Sequence, residues 1–499
     1  MNPATAPSRL TLTVLGLAMA LGVLGDLLLR ALPWGLNLTL IALALVTAGV
    51  WLVVRHRLPV SKDAALLAIT ALLAAAAFAR RDSATLQALD LATLVGALGL
   101  SMLAAQGAAI RLRGISAYVL ATVTAAAHTW FGAPRLLFAD IHWDELPIQG
   151  RWRELGAVGT GLLIALPLVL VFGALFVSAD SAFESLVTSV HLDVASLMSH
   201  VGLTTVCAAF AAGALRGMVF GDASVAALGE RAGSPALRFT TAVTVLGALD
   251  LLFLLFVVVQ ARWLFGGAAL VQSTTGLTVA EYARRGFFEL VTAAALVVPV
   301  LLVAEWATLR QGPKQESSFR ALATLLVLLV GVLLVSALQR MLLYVENFGL
   351  TELRLYTTAF MAWVALVCAW LALTVLRGVR ARFAFGALMQ GLAVLAALHL
   401  VNPDALITRV NLRRALAKGP AFDAAYAAGT LSADAVPALL EALPQLPEDT
   451  RAEVAGRLLA RWGGSPSKDW RTWNWSDHEA RVLVRERAPV LMSLRHPSM

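Results

Sequence analysis

Charged side chains are scarce in this chain. Of its 499 residues, 14% are charged and 59% are hydrophobic, whereas soluble domains have about 25% charged and about 45–50% apolar residues. A soluble core cannot bury that much apolar surface. A membrane-spanning helix needs roughly 20 mostly apolar residues, and such runs follow one another here with short charged connections. We therefore predict an all-α, polytopic transmembrane helix bundle that uses the lipid bilayer as its main solvent.

Cysteine is also rare, which excludes two kinds of structure. Cys207 and Cys368 are the only cysteines, and each lies inside an apolar run. They allow neither a disulfide framework nor a thiolate metal site. The chain contains no zinc-binding His-Glu-x-x-His motif, no phosphate-binding glycine loop and no Gly-x-Ser-x-Gly elbow. We predict no cofactor and no metal.

The net charge of +8 does not indicate nucleic acid, because lysine and arginine occur singly or in pairs at the ends of apolar runs. The first apolar run is longer than the core of a signal peptide and lacks a clear cleavage site, so it is interpreted as a membrane span. About twelve spans are predicted: Leu10–Leu29, Gly35–Val54, Ala64–Ala79, Thr85–Gln106, Ile115–Gly132, Leu155–Ser178, Val201–Phe220, Thr240–Leu264, Gly286–Trp306, Ala321–Val345, Leu355–Leu376 and Phe383–Val401.

The orientation of these spans does not follow from the sequence. With twelve spans, the positively charged connections after the second and fourth spans lie on one side of the membrane. Those after the ninth and eleventh, which contain Arg310 and Arg377, lie on the other. The positive-inside rule expects such charges on one side. Either one span is miscounted or the charge bias is weak.

Two segments differ from the apolar runs. Residues 179–200 have apolar residues at helical spacing, and Ser181 and Glu184 fit a capping box, so this segment is predicted to be an amphipathic connector helix. After Asn402, prolines and charges become frequent, and residues 403–499 are predicted to form a small helical soluble tail. The tryptophan-rich segment 469–476 is expected to pack on the tail's own helices or on the membrane face.

Asp250 is the clearest candidate for a functional residue. It lies well inside the eighth predicted span, where a carboxylate needs a partner, a water-filled cavity or a proton. It could serve transport or proton relay, or form a buried structural hydrogen bond. The inference is weakened by snorkelling or interfacial water for residues that lie nearer the ends of spans, which are Asp90, His128, Gln339, Arg340, Gln390 and His399.

Two connections between spans are denser in polar residues than a turn requires. In Glu281–Glu289, acid and base are spaced for pairing on one helix face. In Glu346–Arg354, Gly349 allows a turn and Thr351 is placed to cap the next helix. Each could equally be a charge-balanced turn. The candidate functional residues are Asp250, Gln260, Arg262, Glu281, Arg284, Arg285, Glu289, Arg340, Glu346, Thr351, Glu352 and Arg354.

Several segments resemble a known family. They are Leu175–Phe183 (LFVSADSAF), Phe256–Gly267 (FVVVQARWLFGG), Glu281–Leu290 (EYARRGFFEL), Gly349–Tyr356 (GLTELRLY) and Asn402–Ile407 (NPDALI). In this order they resemble the bacterial integral-membrane family known as domain of unknown function 4173, which is related to family 4153. The resemblance implies a multi-pass protein of the bacterial cytoplasmic membrane, but no reaction, substrate or catalytic residue.

Three functions remain open. A permease-like or channel-like protein would bring Asp250, Glu281–Glu289 and Glu346–Arg354 to one polar cavity. A sensory or scaffold protein would have a packed bundle and present its tail to a protein partner. A membrane enzyme, the least favoured, would use Asp140, His142, Asp144 and Glu145 to bind a divalent metal at a lipid-accessible groove.

Overall fold

The fold is given by a computed structural model of the chain. It describes residues 8–58, 60–105, 115–141, 193–220, 237–275, 287–418, 421–465 and 469–495, together with residues 161, 165, 168, 169, 171–173 and 175–180. Every regular element among these residues is helical, so the predicted all-α, polytopic bundle is confirmed.

Among the described residues, eleven helices belong to the bundle. They are α1 (Ser8–Leu29), α2 (Leu36–His56), α3 (Lys62–Arg80), α4 (Ala84–Ala105), α5 (Ile115–Arg135), α6 (Val194–Phe220), α7 (Phe239–Thr275), α8 (Phe287–Ala307), α9 (Pro313–Phe348), α10 (Glu352–Thr374) and α11 (Phe383–Val401). Five shorter helices follow in the tail: α12 (Pro403–Lys418), α13 (Val436–Ala442), α14 (Glu448–Trp462), α15 (Trp475–Glu486) and α16 (Ala488–Arg495).

Ten helices in the described part of the chain are long and apolar enough to cross a membrane, and each corresponds to one of the twelve predicted spans. The predicted span Val201–Phe220 begins earlier, at Val194, so the last residues of the predicted connector belong to α6. Residues 161, 165, 168, 169, 171–173 and 175–178 of the sixth predicted span are helical. The rest of that span and the proposed capping box lie outside the described residues.

Helix α5 is the exception among the predicted spans, because both its ends lie at one end of the bundle. Tyr118, near its start, packs with Ala64 and Ala104, at the first turn of α3 and the last turn of α4. Directly after α5, Leu136 belongs to an apolar cluster of α1, α2 and α6, and Asp140 pairs with Arg216 near the end of α6. Both ends of α5 therefore lie in the same half of the bundle, and α5 is not among the described helices that are long and apolar enough to cross a membrane.

The two ends of the bundle can therefore be named by what lies on them. The tail face carries the residues after Asn402, and it includes the ends of α1, α3 and α11. The far face is the opposite end, which carries α5 and the end of α2. The far face contains the charged connections with Arg55, Arg57, Lys62, Arg310, Lys314, Arg377, Arg380 and Arg382. With α5 removed from the count of spans, these positive connections share one side.

The bundle packs as two halves. In the N-terminal half, α1 packs along α6 and α3 along α4, and in the C-terminal half α7 and α8 pack against α9. The largest apolar cluster of the C-terminal half contains Leu246, Leu301, Phe319 and Leu371. Glycine allows a close approach between Gly132 of α5 and Gly213 of α6, where an added Cβ on Gly213 would lie 2.3 Å from the Thr129 carbonyl oxygen.

The tail has an apolar core of its own. Ile407, Leu431, Leu439 and Leu458 are fully buried within it. Leu350, from the connection between α9 and α10, belongs to the same cluster. The tail is therefore a packed helical unit whose core reaches the tail face of the bundle.

Candidate functional site

The sequence-predicted residues fall into two groups. The side chains of Arg262, Glu281, Arg284 and Arg285 lie outside the described residues. The other predicted residues are described, and of these the structure joins Gln260 and Arg340. The Arg340 Nη2 donates to Gln260 Oε1 at 2.6 Å, which connects α7 to α9 inside the C-terminal half.

Asp250 is buried, with 4% of its surface exposed. Neither of its carboxylate oxygens has a hydrogen-bond partner among the described residues. Glu289 and Glu346 are exposed. The described contacts therefore do not place these acids together in one polar cavity.

The connection Glu346–Arg354 is a turn covered by the tail. Arg354 donates to the carbonyl oxygens of Phe348 and Gly349 and stacks 4.0 Å from the centre of the Tyr344 ring. Asn411 of α12 exchanges two hydrogen bonds with the Leu350 backbone. The arrangement is that of a structural turn locked by side chains on both sides.

The start of α10 gives one departure from the predicted capping. Thr351 occupies the N-cap position, but its side chain makes no capping hydrogen bond. The amide of Glu352 instead donates to the Tyr426 hydroxyl of the tail at 2.9 Å. A tail residue thus caps an amide at the start of α10, where the sequence predicted capping by Thr351.

A cleft of 660 Å³ lies between the two halves of the bundle. One wall is formed by α3 and α4 and the other by α10 and α11. Thr85 and Leu100 mark its extent on α4, about 22 Å at 1.5 Å per residue. Its lining is mainly aliphatic and aromatic, with polar groups supplied by Thr70, Thr93 and Tyr356.

A buried acid and a histidine bridge the two walls. Asp90 of α4 is buried, with 1% of its surface exposed. One of its carboxylate oxygens lies 2.9 Å from the Nε2 of His399 on α11, at hydrogen-bond distance. The neighbours Leu89 and Leu398 line the cleft. The second carboxylate oxygen of Asp90 has no hydrogen-bond partner in the described part of the chain. The pair therefore holds α4 to α11 beside the cleft.

The same end of the cleft meets the tail through a set of polar residues, here called the junction cluster: Arg81, Asp82, Ser83, Asp404, Ser432, Asp434 and Ser476. Asp434 is its centre, at 3% exposure. Its carboxylate accepts from the Arg81 guanidinium at 2.9 Å, and from the amides of Asp82 at 2.8 Å and Ser83 at 3.1 Å. The Ser476 hydroxyl donates to it at 2.7 Å.

Arg81 connects the junction cluster to the wall of the cleft. Its second guanidinium nitrogen donates to the backbone oxygen of His399 at 2.6 Å. The hydroxyl groups of Ser83 and Tyr356 lie 3.1 Å apart, and Tyr356 lines the cleft. A movement of α11 or α10 would therefore change the hydrogen bonds of Arg81 and Ser83, which belong to the cluster that holds the tail.

Burial raises the pKa of two other acids of the junction cluster, Asp82 and Asp404. It raises the pKa of Asp82 to about 6, a shift to which the nearby carboxylates of Asp434 and Asp477 add and which the Ala433 amide and Arg461 oppose. Burial also raises the pKa of Asp404, although Ser432 donates to that carboxylate. The carboxylates are crowded, with Arg461 acting on Asp82 and Arg81 on Asp404, so protonation of one carboxylate relieves repulsion among the rest.

The divalent-metal cluster of the membrane-enzyme alternative lies mostly outside the described residues. Asp140 forms an ion pair with Arg216 of α6, while His142, Asp144 and Glu145 lie outside the described residues. No group of three or more potential metal ligands occurs in the described ranges.

Sequence reasoning missed the junction cluster. Asp434 stands in a short polar stretch of the tail, and Arg81 resembles any arginine that flanks a span. Their 353-residue separation gives no local signal. Asp90 and His399 could have been paired, since both are ionisable residues near the ends of spans, but only the packing of α11 shows that they meet.

Comparison with known proteins gives one match. A family model described as "Domain of unknown function (DUF4153)" matches residues 68–442. This range includes both walls of the cleft and Asp434, and it ends before the tryptophan-rich segment. No curated protein and no solved structure matches the chain.

Proposed function

The chain belongs to the DUF4153 family of domains of unknown function, and from that premise we propose a permease-like role in which an amphipathic small molecule occupies the cleft. The finer assignment to the related family 4173 stays a prediction, as does a location in the bacterial cytoplasmic membrane.

The cleft is the observation that carries this proposal. Its volume of 660 Å³ lies within the roughly 300–1,000 Å³ typical of small-molecule sites, which are mostly apolar with a few polar groups. It lies between two separately packed halves. Relative movement of such halves is how many transporters expose a site near the membrane centre.

The helix best suited to move is α11. Only 6% of its span is buried inside the protein, against 17–44% for the other nine candidate spans. Apart from α10, its described contacts with the bundle are few, and the Asp90–His399 pair is one of them. Breaking that pair would remove one of the few side-chain contacts that join the two walls of the cleft.

The chemistry of the lining indicates the class of ligand. An apolar body would lie along Leu89, Leu392 and Leu395, while a hydroxyl or amide group could bond with Thr93 or Tyr356. A strongly charged solute would lose its hydration without a compensating ion pair along these walls. The ligand is therefore expected to be amphipathic rather than ionic.

A second function is favoured by a different observation. The tail has its own core and is tied to the tail face through the junction cluster, which suits a sensory or scaffold protein whose bundle positions a docking module. In that case the bundle would not need a ligand in the cleft.

Cysteine labelling separates these functions. In a background with Cys207→Ala and Cys368→Ala, Thr93→Cys places a thiol in the cleft, and Val95→Cys places one on the lipid-facing side of the same helix, where residue 95 is 63% exposed. Each variant is treated from each side of the membrane with a membrane-impermeant thiol reagent.

For a permease-like protein we expect labelling of residue 93 from at least one side and protection of residue 95. Protection of residue 93 from both sides, with labelling only by a lipid-soluble reagent, would overturn the permease-like role and leave the scaffold function.

A further inference from the structure

A second cavity lies on the outer surface of the bundle, where the tail meets α3. Its volume is 500 Å³, and it is lined by Ala76, Ala79 and Arg80 of α3 and by Trp473 and Trp475 of the tail. It is separate from the cleft, since none of these residues lines the cleft.

Arg80 supplies the charge of this groove. It is the last residue of α3, and its side chain is exposed. Its guanidinium has no hydrogen bond or ion pair with another residue of the described part, whereas both terminal nitrogens of the neighbouring Arg81 guanidinium donate to Asp434 and His399. Arg80 is thus a cation available to an external anion.

The two tryptophans are held firmly beside it although their rings are exposed, by 37% for Trp473 and 55% for Trp475. The Trp473 carbonyl oxygen accepts from the Leu36 amide at 3.0 Å. Asn474, between them, donates to the carbonyl oxygens of Phe78 and Arg81 at 2.6 and 2.9 Å. The rings meet edge to face with centroids 6.1 Å apart.

The surface of α3 below the groove faces lipid. Leu66, Ile69 and Leu73 are exposed by 38%, 54% and 67%, and Ala76 continues the same side of the helix up to Arg80. The spacing of three or four residues puts these side chains in one stripe. An acyl chain lying on this stripe would end at the guanidinium.

We propose that this groove binds an anionic phospholipid, with its phosphate on Arg80, its headgroup against Trp473 and Trp475, and an acyl chain along the α3 stripe. Arginine pairs well with phosphate, and tryptophan prefers the level of the headgroups. The stripe favours a lipid over a free phosphate ion, because a free ion would make no use of it. The tail would then be anchored both to the bundle and to the membrane.

Native mass spectrometry of the full chain tests the site. The protein is released from mixed micelles that contain phosphatidylglycerol and phosphatidylcholine, and the lipid that stays bound to it is measured. The wild type should retain phosphatidylglycerol preferentially. Arg80→Gln should lower that retention by about fivefold, the effect expected for one basic residue at a membrane surface. Ala76→Trp, which fills the groove and keeps the charge, should lower it as well.

The matched control is Arg377→Gln, which removes another exposed guanidinium at the end of a span, on the far face. It should retain the lipid as the wild type does. The proposal would be overturned if Arg80→Gln and Ala76→Trp retained as much phosphatidylglycerol as the wild type. It would also be overturned if Arg377→Gln lost as much of this lipid as Arg80→Gln. Neither result bears on the cleft, which these substitutions do not touch.

Discussion

Asp434 is the residue on which the contact between tail and bundle most depends. One buried carboxylate receives hydrogen bonds from α3's end, from the start of α4 and from Ser476 of the tail. Because its ion pair with Arg81 is buried on both sides, at 1% and 11% side-chain exposure, loss of either partner leaves the other charge without compensation.

Asp434→Ala should therefore lower the free energy of unfolding by about 3–5 kcal/mol. The reason is that the Arg81 guanidinium and two backbone amides lose their acceptor. Thermal unfolding in detergent, together with the rate at which a protease cuts between bundle and tail, measures this. The control is Glu441→Ala, whose carboxylate is 66% exposed and 3.8 Å from Arg409; it should change stability by less than about 1 kcal/mol. Equal stability of the two variants would contradict the assigned role of Asp434.

Asp82 gives the junction cluster a pH dependence. Its pKa in the folded protein is about 6, above the value of 3.8 for an unperturbed aspartate. A raised pKa means that the folded state binds the proton more tightly. The contribution of Asp82 to stability is thus fully present below pH 3.8 and is lost as the pH rises through about 6.

We expect the melting temperature of the wild type to rise when the pH is lowered from about 7.5 to about 5.5. Over this range, protonation of Asp82 should add on the order of 1 kcal/mol to the free energy of unfolding. Asp82→Asn should flatten this part of the profile, because its side chain has no proton to gain but can still accept from the Ala433 amide. An unchanged slope in Asp82→Asn would assign the dependence to another acid, of which Asp404 is the nearest candidate.

Among the elements, α5 shows how packing can hold a helix at one end of a bundle. The backbones of α5 and α6 touch where Gly132 meets Gly213, and His128 lies against Gly217. Small residues permit such close approach of helices in membranes. The contact holds α5 against the last turns of α6, on the far face.

Gly213→Ala should disturb this contact. An added Cβ would lie 2.3 Å from the carbonyl oxygen of Thr129, so α5 must move, at a cost of about 1–3 kcal/mol. Gly247→Ala in α7 is the control, since nothing lies within 4 Å of its added Cβ and alanine favours helix by about 1 kcal/mol. Thermal unfolding of both variants in detergent checks the difference, and a Gly213→Ala protein as stable as Gly247→Ala would exclude the close approach.

For the whole molecule, the position of α5 decides the orientation. The positive connections with Arg55, Arg310 and Arg377 share the far face once α5 is not counted as a span. The positive-inside rule then predicts that the far face is cytoplasmic. Long segments such as the tail cross the membrane largely regardless of their own charge, so the arginines of the tail do not oppose this orientation.

We therefore expect the C-terminus on the non-cytoplasmic side. In a bacterial host, alkaline phosphatase fused after Met499 should be active and a green fluorescent protein fused there should be dark. A fusion in the connection between α2 and α3, near Arg57, should give the opposite pair of results and serves as the control. A fluorescent C-terminal fusion would reverse the assigned orientation.

Much of the fold could be predicted from the sequence, because a span is a local property. About 20 apolar residues between charged flanks are enough to define one, and ten predicted spans are found as helices within the described ranges. Hydropathy does not distinguish a helix that crosses the bilayer from one that lies across the end of a bundle, so α5 was counted as a span. Asp250 could be recognised from the sequence because it is a charged residue inside an apolar run. The structure shows it buried, without a hydrogen-bond partner among the described residues.

The sequence by itself determined that this chain is a helical membrane protein and where most of its spans begin and end, since the bilayer acts on each apolar segment separately. Only the tertiary structure decided which polar residues meet. Asp434 and Arg81 are 353 residues apart and Asp90 and His399 are 309 residues apart, and no periodicity or charge pattern links them. The cleft, the junction cluster and the groove at Arg80 exist because the halves of the bundle and the tail pack against one another, which no single segment specifies.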